Sequence, residues 1–212
     1  MSNTNLVNQL KQAIVEGNEE EAVKLTKKSL EASISYKEIL DSAIVQGANE
    51  IGDLYENEEY FLADMLMAGD AINASMELLN PIISKAGGET LGTIVIGTVE
   101  GDVHDIGKSL IISLLQGQGF RVIDLGTEVK PEVFLDVSIK TNPDLIGLSG
   151  LLTASISKMI ETVSLLKENS IGAKVIVGGG ILSEETCKMI GADEFAKDGW
   201  EGIKKIRKLV RA

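Results

Sequence analysis

Up to about residue 88 the apolar positions recur only at helical intervals. Leu6, Leu10 and Ile14 share one face of a first helix, and Gly17 stops it. Asn18 can cap a second helix, whose leading Glu19, Glu20 and Glu21 complement the positive end of the helix dipole. A third pattern runs from about Tyr36 to Tyr55, and a fourth from about Tyr60 to Leu79, ending before Pro81. Four amphipathic helices with short joints predict a small four-helix bundle over residues 1–88. The segment SKAGGET (84–90) reads as a linker.

From residue 91 the period changes. The runs TIVIGT (93–98), FRVIDLG (120–126), DLIGLS (144–149), KVIVGG (174–179) and EFA (194–196) are short and apolar. They alternate with helical patterns near 107–117, from Pro131, near 155–168, near 183–190, and in the basic C-terminal run. Repeated β-α units predict a parallel sheet with helices on both faces. Residues 89–212 are thus expected to form an α/β domain, a flavodoxin-like (Rossmann-like) doubly wound sheet of five strands. In the common order 2-1-3-4-5, a ligand crevice opens between strands 1 and 3 at their carboxyl ends.

Composition narrows the function classes. A formal net charge of −12 on 212 residues suits a soluble protein and argues against nucleic acid, whose binders need a basic face. The acidity can also steer docking to a basic partner. There is neither an apolar run long enough to span a membrane nor a signal-peptide pattern at the N-terminus. The lone Cys187 excludes an internal disulfide framework and fits a reducing, cytoplasmic compartment. It reads as a buried structural residue, and Trp200 as an anchor of the last helix or part of a binding pocket.

The candidate chemistry sits in the loops at one edge of the sheet. After strand 1 comes Gly101-Asp102-Val103-His104-Asp105-Ile106-Gly107. His104 is the only histidine, so sites built from several histidines are excluded. Imidazole suits cobalt and similar metals, and a ligating histidine donates its other ring N–H to a carboxylate. Asp102 is placed for that if the loop is extended. After strand 3 comes Ser149-Gly150-Leu151-Leu152-Thr153, and Ser149 could hydrogen-bond Asp102 to extend a relay. After strand 4, Gly178-Gly179-Gly180 would let backbone approach a bulky planar ligand.

Taken in order, D-x-H-x-x-G, then S-x-L, then G-G resembles the cobalamin-binding module of B12-dependent methyltransferases and mutases, including the B12-binding region of methionine synthase. Forty-one residues separate Gly107 from Ser149, and 26 separate Leu151 from Gly178. Gly-Asp-Leu-Tyr (52–55) and Tyr-Phe-Leu (60–62) resemble the helical cap of that family. The whole chain is similar to the small corrinoid proteins of methylamine, methanol and methoxy-aromatic methyltransferase systems.

The resemblance implies a cobalamin or related corrinoid, with His104 replacing the cofactor's own lower base on cobalt. The displaced nucleotide tail would enter a slot at Ser149, Leu151, Thr153, Gly178, Gly179 and, near its end, Gly199. Asp102 and Ser149 would couple the protonation of His104 to the state of the metal. Tyr55, Leu62 and Met65 would shield the upper face, with Asp41 a polar neighbour. Implied partners are a substrate-specific methyltransferase, an acceptor methyltransferase using tetrahydrofolate or a thiol, and a reductive activase. A catalytic barrel needs about 250 residues of its own, so the chain is expected to be a carrier that does not turn over alone. Three other readings stay open, one of them a flavodoxin-like domain with no cofactor. A mutase small subunit would not be expected to carry a fused helical cap, and a B12-sensing module would need an attached output domain.

Overall fold

A glycine in the left-handed region ends the first helix. Gly17 has φ +67°. Its N–H reaches Ile14 O, and Asn18 N reaches Ala13 O, the paired bonds that close a helix around such a residue. A Cβ at Gly17 would lie 2.7 Å from Met67 Cβ, so neither backbone nor neighbour tolerates a side chain there. Helix α1 (Asn3–Val15) stops for that reason. Asn18 then accepts from Glu21 N and opens α2 (Glu19–Glu31). The computed structural model showing this describes residues 3–85 and 90–211. Most of the expected linker (86–89) and the expected boundary at 88/89 fall outside the described residues.

The third pattern is an uninterrupted run of α3 (Tyr36–Ile39), a π-helical segment (Leu40–Val45) and α4 (Gln46–Glu56). The fourth helix, α5 (Leu62–Lys85), departs from expectation by running through Pro81 and absorbing Ser84 and Lys85. Proline removes the bond to the carbonyl four residues back, and its ring crowds that carbonyl. Pro81 and Glu77 both lie on an exposed side of the helix, where water can replace the missing donor. Leu10, Ile14, Ile39, Ile51, Ile72 and Leu79 are fully buried and supply the apolar interior.

In the second half the strands are β1 (Thr93–Thr98), β2 (Arg121–Asp124), β3 (Leu145–Ser149), β4 (Lys174–Gly178) and β5 (Glu194–Ala196). They form one five-stranded sheet in the order β2-β1-β3-β4-β5, parallel throughout. The connecting helices are α6 (Ile106–Gly117), α7 (Pro131–Thr141), α8 (Ser155–Glu168) and α9 (Glu184–Ile190), with α10 (Gly199–Arg211) at the end. The fold class is a Rossmann-like doubly wound sheet in the second half and helices alone in the N-terminal half. Val95, Ile146, Leu148 and Val177 of the central strands pack with Phe134 and Met159 from the helices of one face.

The chain divides into two compact units, Met1–Thr90 with Ser113–Gly119, and Leu91–Ile112 with Phe120–Ala212. The end of α6 is thus grouped with the helical half. Among the described residues no helix is long and apolar enough to cross a membrane.

The three glycines after β4 differ in what holds them. Gly179 has φ +149°, and a Cβ there would fall 1.9 Å from Gly150 O. At Gly180 the nearest atom, Leu151 Cδ2, is 4.0 Å away. Gly179→Ala is therefore expected to lower unfolding stability by roughly 2 kcal/mol or more. Gly180→Ala should stay within about 0.5 kcal/mol of wild type. Urea titration of the two variants checks this, and equal midpoints would contradict it.

Candidate functional site

The loop leaving β1 is built around a buried carboxylate. Gly101 takes φ +80° and turns the chain so that Asp102 N can donate to Val99 O while Asp102 O accepts from Glu128 N. Asp102 is completely buried. Its Oδ1 accepts from His104 N at 3.0 Å and lies 2.7 Å from His104 Nδ1. Its Oδ2 accepts from Leu151 N at 2.7 Å, Leu152 N at 3.2 Å and Ser155 Oγ at 2.7 Å. One side chain thereby fastens the β1 loop to the loop that opens α8. The Glu100–Lys158 ion pair, 2.8 Å long, ties the same two segments together.

Burial pushes the Asp102 pKa up. The bonds from the His104 backbone, Ser155, Leu151 and the His104 ring outweigh it and hold the carboxyl well below the usual range. An ionised carboxylate has no hydrogen to donate, so the proton shared with His104 must sit on Nδ1. In the neutral ring the lone pair is then on Nε2, on a side chain that is 49% exposed. Thr98 Oγ1 donates to His104 O and steadies the backbone from below.

Beside His104 lies a cavity of about 370 Å³. It runs from β1 across β3 and β4 to β5, further than the crevice between β1 and β3 that strand order alone indicates. Its walls include Ile111 of α6 and Gly202 and Ile206 of α10. A Cβ built on Gly178 or Gly107 meets nothing within 4 Å, so these positions leave room for a guest. Among the described residues no three His, Cys, Asp or Glu side chains cluster as a metal site. A single imidazole beside a deep slot suits a metal that arrives already held in a macrocycle, and the residues present fit a corrinoid.

Of the residues expected at this site, Val103, His104, Asp105, Ile106, Gly107, Ser149, Leu151, Gly178, Gly179 and Gly199 line the cavity. Gly101 and Asp102 support the loop without lining it, and Thr153 is exposed on the approach to α8. One detail needs correcting. The hydroxyl that donates to Asp102 belongs to Ser155, while Ser149 ends β3 on the cavity wall. Ser155, the first residue of α8, stands where the turn after Gly150 brings it back; a Cβ on Gly150 would lie 2.7 Å from Ser155 Cβ. Nothing in the local sequence separated Ser155 from Thr153 or Ser157. Of the α10 wall Gly199 was expected, while Gly202 and Ile206 were missed, although Gly199 and Gly202, three apart, were a signal of a helix face pressed close.

In the helical unit Tyr55 is half-buried, Asp41 is exposed on the π-helical segment, and Leu62 is 53% exposed. Met65 is only 1% exposed, so the common face expected for Leu62 and Met65 is divided between solvent and interior. Cys187 is buried, with Sγ near Ala192 O, and burial pushes its thiol pKa up. That is the environment of an inert structural cysteine. Trp200 is buried in the first turn of α10.

Residues 92–204, more than half of the chain, match the family described as the B12 binding domain. The chain belongs to the B12-binding family. A second match, to a domain of the same description, spans residues 6–80. The cofactor is accordingly cobalamin or a related corrinoid. A corrinoid protein of Desulfitobacterium hafniense (strain Y51) is 36% identical over 210 residues, covering 97% of each chain. Trimethylamine corrinoid protein 1 of Methanosarcina acetivorans is 33% identical and covers 99% of each. Among solved structures, the methanol:cobalamin methyltransferase complex MtaBC from Methanosarcina barkeri matches with a TM-score of 0.87 and 28% identity. That match covers 98% of this chain and 80% of that one.

Because the Asp102 carboxyl titrates lower in the folded protein than in the unfolded one, its stabilisation is complete above the unfolded pKa of about 3.9 and is lost as pH falls below it. Between about pH 6 and pH 3 the wild type is expected to lose roughly 1 kcal/mol more stability than Asp102→Asn. Urea midpoints across that range check it, and parallel losses would mean that Asp102 is not held anionic.

Proposed function

We propose that this chain is a methyl carrier. It binds a corrinoid with the cofactor's own lower base off the metal and His104 Nε2 in its place. It moves a methyl group on cobalt from a substrate-specific methyltransferase to an acceptor methyltransferase that uses tetrahydrofolate or a thiol. The single observation that carries this reading is the His104–Asp102 pair at the mouth of the cavity. Nδ1 is bonded to a buried carboxylate, which leaves Nε2 half exposed as the one nitrogen able to ligate. The relatives support the methyl-transfer system, being a trimethylamine corrinoid protein and a methanol:cobalamin methyltransferase complex. A methylated amine, methanol or a methoxy-aromatic would be the source of the methyl group.

The bound corrinoid supplies a metal centre that accepts and releases a methyl group. The chain supplies the rest. His104 offers one nitrogen. Asp102 fixes the tautomer and ring orientation, and stays ionised to accept the ring N–H whether the imidazole is neutral or charged. Ser155 and the Leu151 and Leu152 amides hold that carboxylate still. Gly178 and Gly107 leave space for the nucleotide tail, and Ser149 and Leu151 stand on its wall. In this reading the chain acts with partner enzymes and with a reductive activase that restores the metal. Its single buried cysteine supports a reducing, cytoplasmic setting.

Apo-protein offered hydroxocobalamin should take up about one cobalt per chain, with an absorption spectrum lacking the signature of coordinated dimethylbenzimidazole. Retention of that base on the metal would overturn the reading. A panel of methylated amines, methanol and methoxy-aromatics, each with its methyltransferase, then identifies the donor by transfer of labelled methyl to the loaded chain. Asp102→Asn keeps the size of the side chain but removes the charge that raises ligand basicity. It is expected to weaken corrinoid binding about tenfold to a hundredfold. Unchanged affinity would reduce Asp102 to a loop anchor.

A further inference from the structure

The rim and the floor of the cavity differ in chemistry. His104, Asp105, Lys197 and Asp198, all exposed, stand at the rim. The floor consists of Ile96, Ile176, Ala196 and Ile206, none more than 4% exposed, with Gly147 between Ile96 and Ile176. The strand backbones beneath are paired across β1–β3, β3–β4 and β4–β5. Polar groups near the β5 end are already engaged, with Asp198 Oδ1 accepting from Glu201 N and Glu201 Oε2 accepting from Lys197 N. Lys108, on the α6 side, gives its Nζ to Asp124 at 2.6 Å. Ser149, at the end of β3, is level with Gly178 and Ala196 and brings a hydroxyl to the cavity wall. A flat guest seated on this floor meets mainly aliphatic carbon, with the Ser149 hydroxyl beside it.

Resting on the reading that the cofactor's nucleotide tail enters this cavity, we infer that the chain selects corrinoids whose lower base is a benzimidazole over those whose lower base is a purine. A benzimidazole presents a fused hydrocarbon ring and little else to the floor. A purine adds further ring acceptors and an exocyclic group, which lose water on entry and outnumber the single Ser149 hydroxyl on the wall. Apolar contact is similar for both bases, so the difference comes from the unmet polar atoms. One such atom weakens binding by about tenfold. Ile176 lies at the centre of the floor on β4, paired between Gly147 and Glu194. It is the position where a polar side chain should erode the preference most.

The test is equilibrium binding of the full apo-chain to three corrinoids carrying a dimethylbenzimidazole tail, an adenine tail, or no tail (cobinamide). Titrations run under strong reduction, where neither base coordinates the metal in the free cofactor, so the cost of removing the base does not enter. The benzimidazole form is expected to bind at least about tenfold tighter than the adenine form, and both tailed forms tighter than cobinamide. In Ile176→Thr the benzimidazole preference should shrink several-fold. The wild-type comparison stands by itself if that variant does not fold. Equal affinities for the two tailed forms, or an adenine preference, would overturn the inference and leave the carrier reading intact. Cobinamide binding as tightly as both would place the tail outside the cavity and overturn it as well. If no corrinoid binds, the proposed function itself fails and the inference with it.

Discussion

The structure depends on one buried negative charge. Asp102 has no exposure to solvent, and a carboxylate in that position is tolerated only because it collects two side-chain and three backbone hydrogen-bonding contacts from two loops. Its worth depends on completeness. Removing any one donor would leave a buried anion less well served, at a cost of about 1–3 kcal/mol. The same charge gives the histidine its chemistry, since an imidazole that donates Nδ1–H to a permanent anion is fixed in that tautomer, with Nε2 left to ligate. Stability and the proposed metal-binding function therefore rest on the same atoms.

The parallel sheet explains why those atoms meet. Parallel pairing brings the carboxyl ends of β1, β3, β4 and β5 to one edge, so loops 41 and 26 residues apart in sequence become neighbours. Small residues then keep that edge open. Gly150 admits Ser155 to the carboxylate, Gly179 allows the β4 loop to pass against Gly150 O, and Gly178 leaves its Cβ position vacant. Large side chains at these positions would close the slot or push apart the loops that hold Asp102. The isoleucines on the strands below supply an apolar floor that needs no specific partner.

Much of this was legible in the sequence, for identifiable reasons. Strands of alternating β-α units announce themselves by short apolar runs, and all five were located within a few residues. The strand order follows from the common topology. The histidine loop was legible because it held the only histidine at the ligand edge. Ser155 was not legible. Which of several hydroxyls near a helix start reaches a distant carboxylate depends on how tightly the turn at Gly150 folds, and that is set by tertiary packing. The passage of α5 through Pro81 was missed because a proline late in a helix stops the chain only if the freed carbonyl cannot be solvated. The differing burial of Leu62 and Met65 likewise reflects position. Leu62 opens its helix while Met65 lies a turn further in, where packing rather than periodicity decides exposure.

The central claim is that His104 is the protein's ligand to the cofactor's cobalt. The most direct measurement is the electron paramagnetic resonance spectrum of the loaded chain in its cobalt(II) form, with histidine labelled with nitrogen-15 and the cofactor unlabelled. If His104 Nε2 coordinates, the hyperfine pattern from the axial nitrogen changes with the label, and the nitrogen splitting disappears in His104→Ala. A pattern that is identical with and without the label would place the cofactor's own base, or no nitrogen, on the metal and contradict the account.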